Sequence, residues 1–114
     1  MPVELSNPED VKIVTLAKAT RLRAEAEAGA AVRDLDGRTY AAAPVALPSL
    51  RLSALQLAVS MAVSSGAKGL EAAAVSTDDD VDDADLAVVR DLAGTGVDLI
   101  VADARGAATS VRQT

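Results

Sequence analysis

The sequence predicts an α/β fold: a three-layer α/β/α sandwich around a mixed five-stranded sheet, with elements in the order αββαβαββ. Three observations lead there. Helical periodicity with helix-type ends recurs in "NPEDVKIVTLAKATRLRAEAEAG", in "LRLSALQLAVSMAVSSG" and in "DDADLAVVRDLAG". Short runs rich in Ala, Val, Leu and Ile lie between and after these segments, at lengths that suit strands. The last connection, "ARG", is too short for a crossover helix of about a dozen residues, so the final strand must return antiparallel to its predecessor. At 114 residues, one domain over 1–114 with one core is expected.

Taken in order, the first helix opens on Asn7 as N-cap with Pro8 at its first position. Glu9 and Asp10 favour the positive helix end, and Gly29 waits beyond an expected end at Glu27. Val11, Val14, Leu16, Ala17, Leu22 and Ala26 make its apolar stripe; Lys12, Lys18, Arg21, Arg23 and Glu25 make a solvated back. "AGAAVRDLDGRTYAAAP" then reads as two antiparallel strands joined at Asp36-Gly37, a strong hairpin signal. Pro44 and Pro48 cannot both sit in a central strand, so "PVALPS" is read as a loop. The second helix is expected over about Leu50 to Ser64, stopping at Gly66. "LEAAAV" is a third strand, and the acidic "STDDDVDD" is a loop leading into the third helix, which ends at Gly94. "VDLIVAD" is a fourth strand, its nearly continuous apolar run suiting a sheet centre, and "AATSVR" is the fifth.

Composition excludes a good deal of chemistry. Without histidine or cysteine the chain lacks the commonest general base, the commonest transition-metal ligand and any disulfide. Its 17 acidic and 11 basic residues give a formal charge of -6, which argues against nucleic acid as a partner of this acidic protein. Tyr40 is the only aromatic residue, so the core must be closely packed from small aliphatic side chains. The start, "MPVELSNPED", has neither a basic nor an apolar leader region, and no apolar run approaches the roughly 18 residues of a membrane span. A cytoplasmic protein with no membrane partner is expected.

"GAAVRDLDGRTY", followed after the proline loop by "LAVSMAVSSGAKGLEAAAVSTD", resembles the small homotetrameric cytidine deaminases. Their pattern is a Gly-Ala-Ala strand, an Asp-Gly turn, a strand ending near Tyr, and an Ala-Val-Ser-x-Gly helix end followed by an apolar strand. The likeness in layout covers most of the chain, and it is residue-specific over about Gly29 to Ser76. It implies the deaminase-like fold and a tetramer. The same family carries Cys-Ala-Glu on its central helix, the Cys binding zinc and the Glu moving protons between zinc-bound water and the base. Here the matching triplet is Ser53-Ala54-Leu55, and Leu55 cannot carry a proton. The family's Pro-Cys-x-x-Cys falls on Val81-Asp82-Asp83-Ala84-Asp85, where Asp82 and Asp85 keep the spacing without sulfur. Its ribose-binding Asn-x-Glu falls on Pro44-Val45-Ala46. Ser53, Leu55, Asp82, Asp85, Pro44 and Ala46 are thus vestigial positions, and neither zinc nor another cofactor is expected.

Other motifs lead nowhere. Asp78 to Asp85 fail as an EF-hand loop because Asp83 and Val89 stand where Gly and a bidentate Glu are required. Ser65-x-x-Lys68 has no companion acyl-transfer motif, Gly94-x-Gly96 is a helix end, and Arg21, Arg23, Arg33, Arg38 and Arg51 read as scattered surface charge. The expected function is therefore a non-catalytic deaminase-like protein, a pseudoenzyme acting as an assembly or protein-interaction scaffold. The alternative is a module binding a nucleoside or small metabolite in the old cleft; an enzyme of another class has no constellation to support it. After Arg51 the central helix carries no charge, which points to cover on both sides by a homo-oligomer, a tetramer by preference, through Ala54, Ala58, Ser60, Met61 and Ala62. An unknown protein partner is the other possibility for such a scaffold.

Overall fold

The computed structural model describes residues 3–114, and its order is α1 (Pro8–Ala24), β1 (Ala28–Asp34), β2 (Thr39–Ala42), β3 (Val45–Leu47), β4 (Leu50–Leu52), α2 (Ala54–Ser64), β5 (Leu70–Thr77), α3 (Asp83–Ala93), β6 (Asp98–Ala102) and β7 (Ala108–Gln113). Five strands form one mixed sheet in the order β2-β1-β5-β6-β7. Only β5 and β6 are parallel, joined through α3; β1 runs antiparallel to both β2 and β5, and β7 returns antiparallel to β6, as the short five-residue link from Asp103 to Ala107 requires. Two elements were not expected: the "PVALPS" region is not a plain loop but the turn of a small hairpin, β3 pairing with β4 from Val45↔Leu52 to Leu47↔Leu50. Pro44 precedes β3 and Pro48 lies in the turn, so neither proline removes a ladder donor from a strand.

Side-chain alternation divides the core into two layers. Ala30, Val32, Ala73, Val75 and Leu99 point toward α2 and α3, where Leu55, Ala58, Val59, Leu86 and Val89 meet them. Ala31, Ala72, Ala74, Ile100 and Ala102 point the other way, toward Ile13, Val14 and Ala17 of α1. Alanine dominates the sheet because the helices lie close to it. At Gly29 the approach is extreme: a Cβ there would collide with the Ala17 carbonyl oxygen and stand 2.8 Å from the Arg21 nitrogen.

That contact selects the buried face of α1. Ile13, Val14, Ala17 and Thr20 turn inward, while Val11 and Leu22, expected in the stripe, are about half exposed. The helix begins as expected, Asn7 Oδ1 accepting the Glu9 N–H at 2.9 Å. It ends at Ala24 rather than Glu27, because Glu25 adopts a left-handed backbone (φ 52) that turns the chain into β1.

The turns before β2 and β7 follow one design. Asp34 accepts the N–H groups of Asp36 and Arg38, both at 2.9 Å, and Gly37 takes φ 84. Asp103 accepts those of Arg105 and Ala107 at 2.9 and 3.0 Å, and Gly106 takes φ 87. In each, an Asx-type carboxylate and a glycine free to adopt positive φ close the hairpin. Arg33 is no surface charge: its side chain is 8% exposed and bridges Asp10 of α1 and Glu71 of β5, each at 3.1 Å.

Candidate functional site: a cleft between the N-termini of two helices

The carboxyl end of β5 opens into a cleft of about 460 Å³, the place where α/β sheets commonly bind ligands. The β3–β4 hairpin forms one wall with Pro44, Val45, Ala46, Arg51 and Leu52. The first turn of α2 brings Ser53, Leu55 and Gln56; the loop after β5 and the first turn of α3 bring Asp79, Asp80, Asp82 and Asp85. All six vestigial positions read from the sequence, Pro44, Ala46, Ser53, Leu55, Asp82 and Asp85, therefore line one cleft although 41 positions separate the first from the last.

Their local structure follows from capping. Ser53 is the N-cap of α2: its Oγ accepts the Gln56 N–H at 3.1 Å, and Gln56 Oε1 accepts the Ser53 N–H at 2.8 Å, a reciprocal capping box. The helix therefore starts at Ala54, not Leu50, and Leu50–Leu52 belong to β4. The Ser-x-x-Gln spacing was the sequence signal for this boundary. The hydroxyl proton of Ser53 goes to Asp85 Oδ1 at 2.8 Å, joining α2 to α3. Leu55 is 1% exposed and belongs to the core beneath the cleft. Asp82 holds the N-cap position of α3, but its side chain makes no capping bond.

These donors do not fit the zinc ion that the deaminase resemblance implies. A neutral alcohol is a poor zinc ligand, and that of Ser53 is committed to Gln56 and Asp85. Leu55 offers neither ligand nor proton. Among the described residues, no group of three or more His, Cys, Asp or Glu side chains is placed to hold a metal ion. Two more carboxylates of the acidic run have structural partners: Asp78 accepts the Ala104 N–H at 2.9 Å, and Asp83 pairs with Arg112 at 3.0 Å.

The arginines do not converge. Arg21 donates to the Ala104 carbonyl at 2.6 Å, Arg33 is held by Asp10 and Glu71, and of the five considered only Arg51 lines the cleft. Glu27 and Thr77 also line it, and neither stood out in the sequence as a candidate site residue; Asp79 joins them from the acidic run. Tyr40 lies elsewhere, its hydroxyl donating to Asp34 Oδ2 at 2.9 Å, so no aromatic ring is in the cleft.

On α2, Ala54, Ala58 and Ala62 are at most 2% exposed and packed inside the chain, which leaves them no surface for another subunit. Of the five interface candidates, Ser60 and Met61 face outward, beside Val63, which is 54% exposed. Among the described residues, no helix is long and apolar enough to cross a membrane.

A family model described as "Cytidine deaminase-like" matches residues 6–106. Among solved structures, a cytidine deaminase from Burkholderia pseudomallei aligns with a TM-score of 0.75 at 22% identity, over 90% of this chain and 89% of that one. One from Mycobacterium leprae aligns at 0.72 and 17% identity over 95% and 94%, and one from Mycobacterium tuberculosis at 0.70 and 21% over 82% and 85%. No curated relative matches the chain.

Proposed function

The chain belongs to the cytidine deaminase-like family, and from that premise we propose that it is a non-catalytic member, a cytoplasmic single-domain pseudoenzyme that works through assembly with itself or with a protein partner. The observation that carries this reading is Leu55. An aliphatic side chain packed into the core stands at the position that the resemblance matches to the family's proton-carrying Glu, and the sequence has no histidine or cysteine to supply a base or thiolate beside it.

Assembly is supported by the outer face of α2. Leu57, Ser60, Met61, Val63 and Ser64 carry no charge on a chain whose net charge is -6, and shallow grooves flank them, one against Val88, Leu92 and the carboxylate of Asp91 and the other against Tyr40. An uncharged face is where two copies of an acidic protein meet with least repulsion. A homo-oligomer, a tetramer by preference, with Ser60 and Met61 at the contact, is the proposed state.

Two measurements test the proposal. Ammonia release from cytidine and deoxycytidine should stay at the no-protein level, and light scattering should give a mass well above the 11.5 kDa of one chain. Measurable deamination overturns the first part; a monomer without a protein partner overturns the second. The volume and apolar floor of the cleft favour one further reading, binding of a nucleoside or small metabolite without turnover. A saturable rise in melting temperature with a nucleoside would establish it.

A further inference from the structure

We infer that the Ser53–Asp85 hydrogen bond is a metal-free brace between the N-terminal turns of α2 and α3, joining the two helices directly at the corner of the cleft where the fold family implies an ion. The hydrogen bonds account for the Ser53 hydroxyl almost completely. Its one proton goes to Asp85 Oδ1 at 2.8 Å, and it accepts the Gln56 N–H at 3.1 Å. A metal entering this corner must break the first bond and compete with the second, and it gains only a neutral oxygen in return.

Charge placement gives the brace its direction. The first turn of α2 has no acidic side chain of its own, so the positive end of that helix lacks a local counter-charge. The Asp85 carboxylate supplies one from the first turn of α3, where negative charge is also favoured, and Ser53 carries the link. One carboxylate thus serves two helix N-termini, and the cleft between them keeps its shape without an ion. Asp85 acts here as a positioning residue through Ser53. This inference goes beyond the proposed assembly and is independent of it, since the brace lies in the cleft and not on the outer face of α2.

A double-mutant cycle on the full chain, read as melting temperature, tests the brace. Ser53→Ala and Asp85→Ala should each lower the midpoint by about 5 °C, and the double variant should fall short of their sum by about as much. The unmodified protein should melt within about a degree of the same temperature in chelator and in added zinc chloride. Additive losses, a drop in chelator, or a saturable rise with zinc would each overturn the inference. Should an alanine variant fail to fold, Ser53→Thr decides: keeping the hydroxyl should keep the midpoint within about 2 °C, and a loss like that expected of alanine refutes the brace.

Discussion

Asp34 and Asp103 occupy equivalent places in two turns of one sheet, each carboxylate accepting backbone N–H groups two and four residues ahead of a chain that reverses through a positive-φ glycine. Burial opposes the Asp34 charge, but the Tyr40 hydroxyl, the Arg38 and Asp36 N–H groups and the Arg38 cation outweigh it, so the carboxyl titrates below its ordinary 3.8. At Asp103 the Ala107 N–H is the largest influence, opposed by burial and aided by the N–H and charge of Arg105, and the carboxyl is again lowered from 3.8. A lowered carboxyl binds fewer protons in the native state than in the unfolded chain. Its stabilisation is present above the ordinary aspartate range and is lost as pH falls through the lowered value. Urea midpoints should therefore drop on acidification below about pH 4. Asp34→Asn should be less stable than the parent at pH 7 and should converge with it at the acid end, whereas a constant gap would contradict the linkage.

Gly29→Ala should destabilise the fold by about 3 kcal/mol, because the added methyl collides with backbone atoms of α1 that cannot rotate away. Gly37→Ala is the comparison: its φ is 84 but its surroundings are open, so only the left-handed conformation is penalised, by about 1 kcal/mol. Denaturant unfolding of both variants checks the difference; equal losses would show that α1 shifts to accommodate the methyl.

Leu55→Glu restores the side chain that the resemblance implies without its zinc. The expected outcome is no ammonia from cytidine and a loss of about 3 kcal/mol, since the carboxyl enters a core position that is 1% exposed and has no partner there. Deamination by this single variant would mean that one residue alone separates the chain from activity.

Asp82→Ala should cost under about 0.5 kcal/mol, because Asp82 makes no side-chain capping bond at α3. Other side chains contact this helix start: Arg112 donates to the Val81 carbonyl at 3.1 Å and to Asp83 at 3.0 Å, and Asp85 accepts from Ser53 at 2.8 Å. Calcium or magnesium at constant ionic strength should leave the melting temperature unchanged, and a saturable rise would point to a cation among the loop carboxylates.

Met61→Asp and Val63→Asp place charge on the outer face of α2, where both side chains are exposed in the single chain. Circular dichroism should show the fold intact while light scattering shows the mass falling to 11.5 kDa. An unchanged oligomer would move the contact to another face.

By itself the sequence determined the features set by neighbours along the chain. Asn7-Pro8 started α1, Asp36-Gly37 turned the first hairpin, and the short "ARG" link forced β7 antiparallel to β6. The spacing of Ser53, Leu55, Asp82 and Asp85 was also visible, though the bond from Ser53 to Asp85 was not. Tertiary structure decided whatever depends on a partner far along the chain. Close approach at Gly29, not the count of apolar residues, chose Ile13 and Thr20 over Val11 and Leu22 as the inner face of α1. Strand alternation put Arg33 on the α1 side between Asp10 and Glu71, where a reading of charge alone leaves it on the surface. In the "PVALPS" region the prolines lie outside the strands, so each short segment found the other as partner. Periodicity tells that a helix has an apolar side; the sheet and helices packed against α2 determine that Ala54, Ala58 and Ala62 spend that side inside the chain and leave Met61 and Val63 outside.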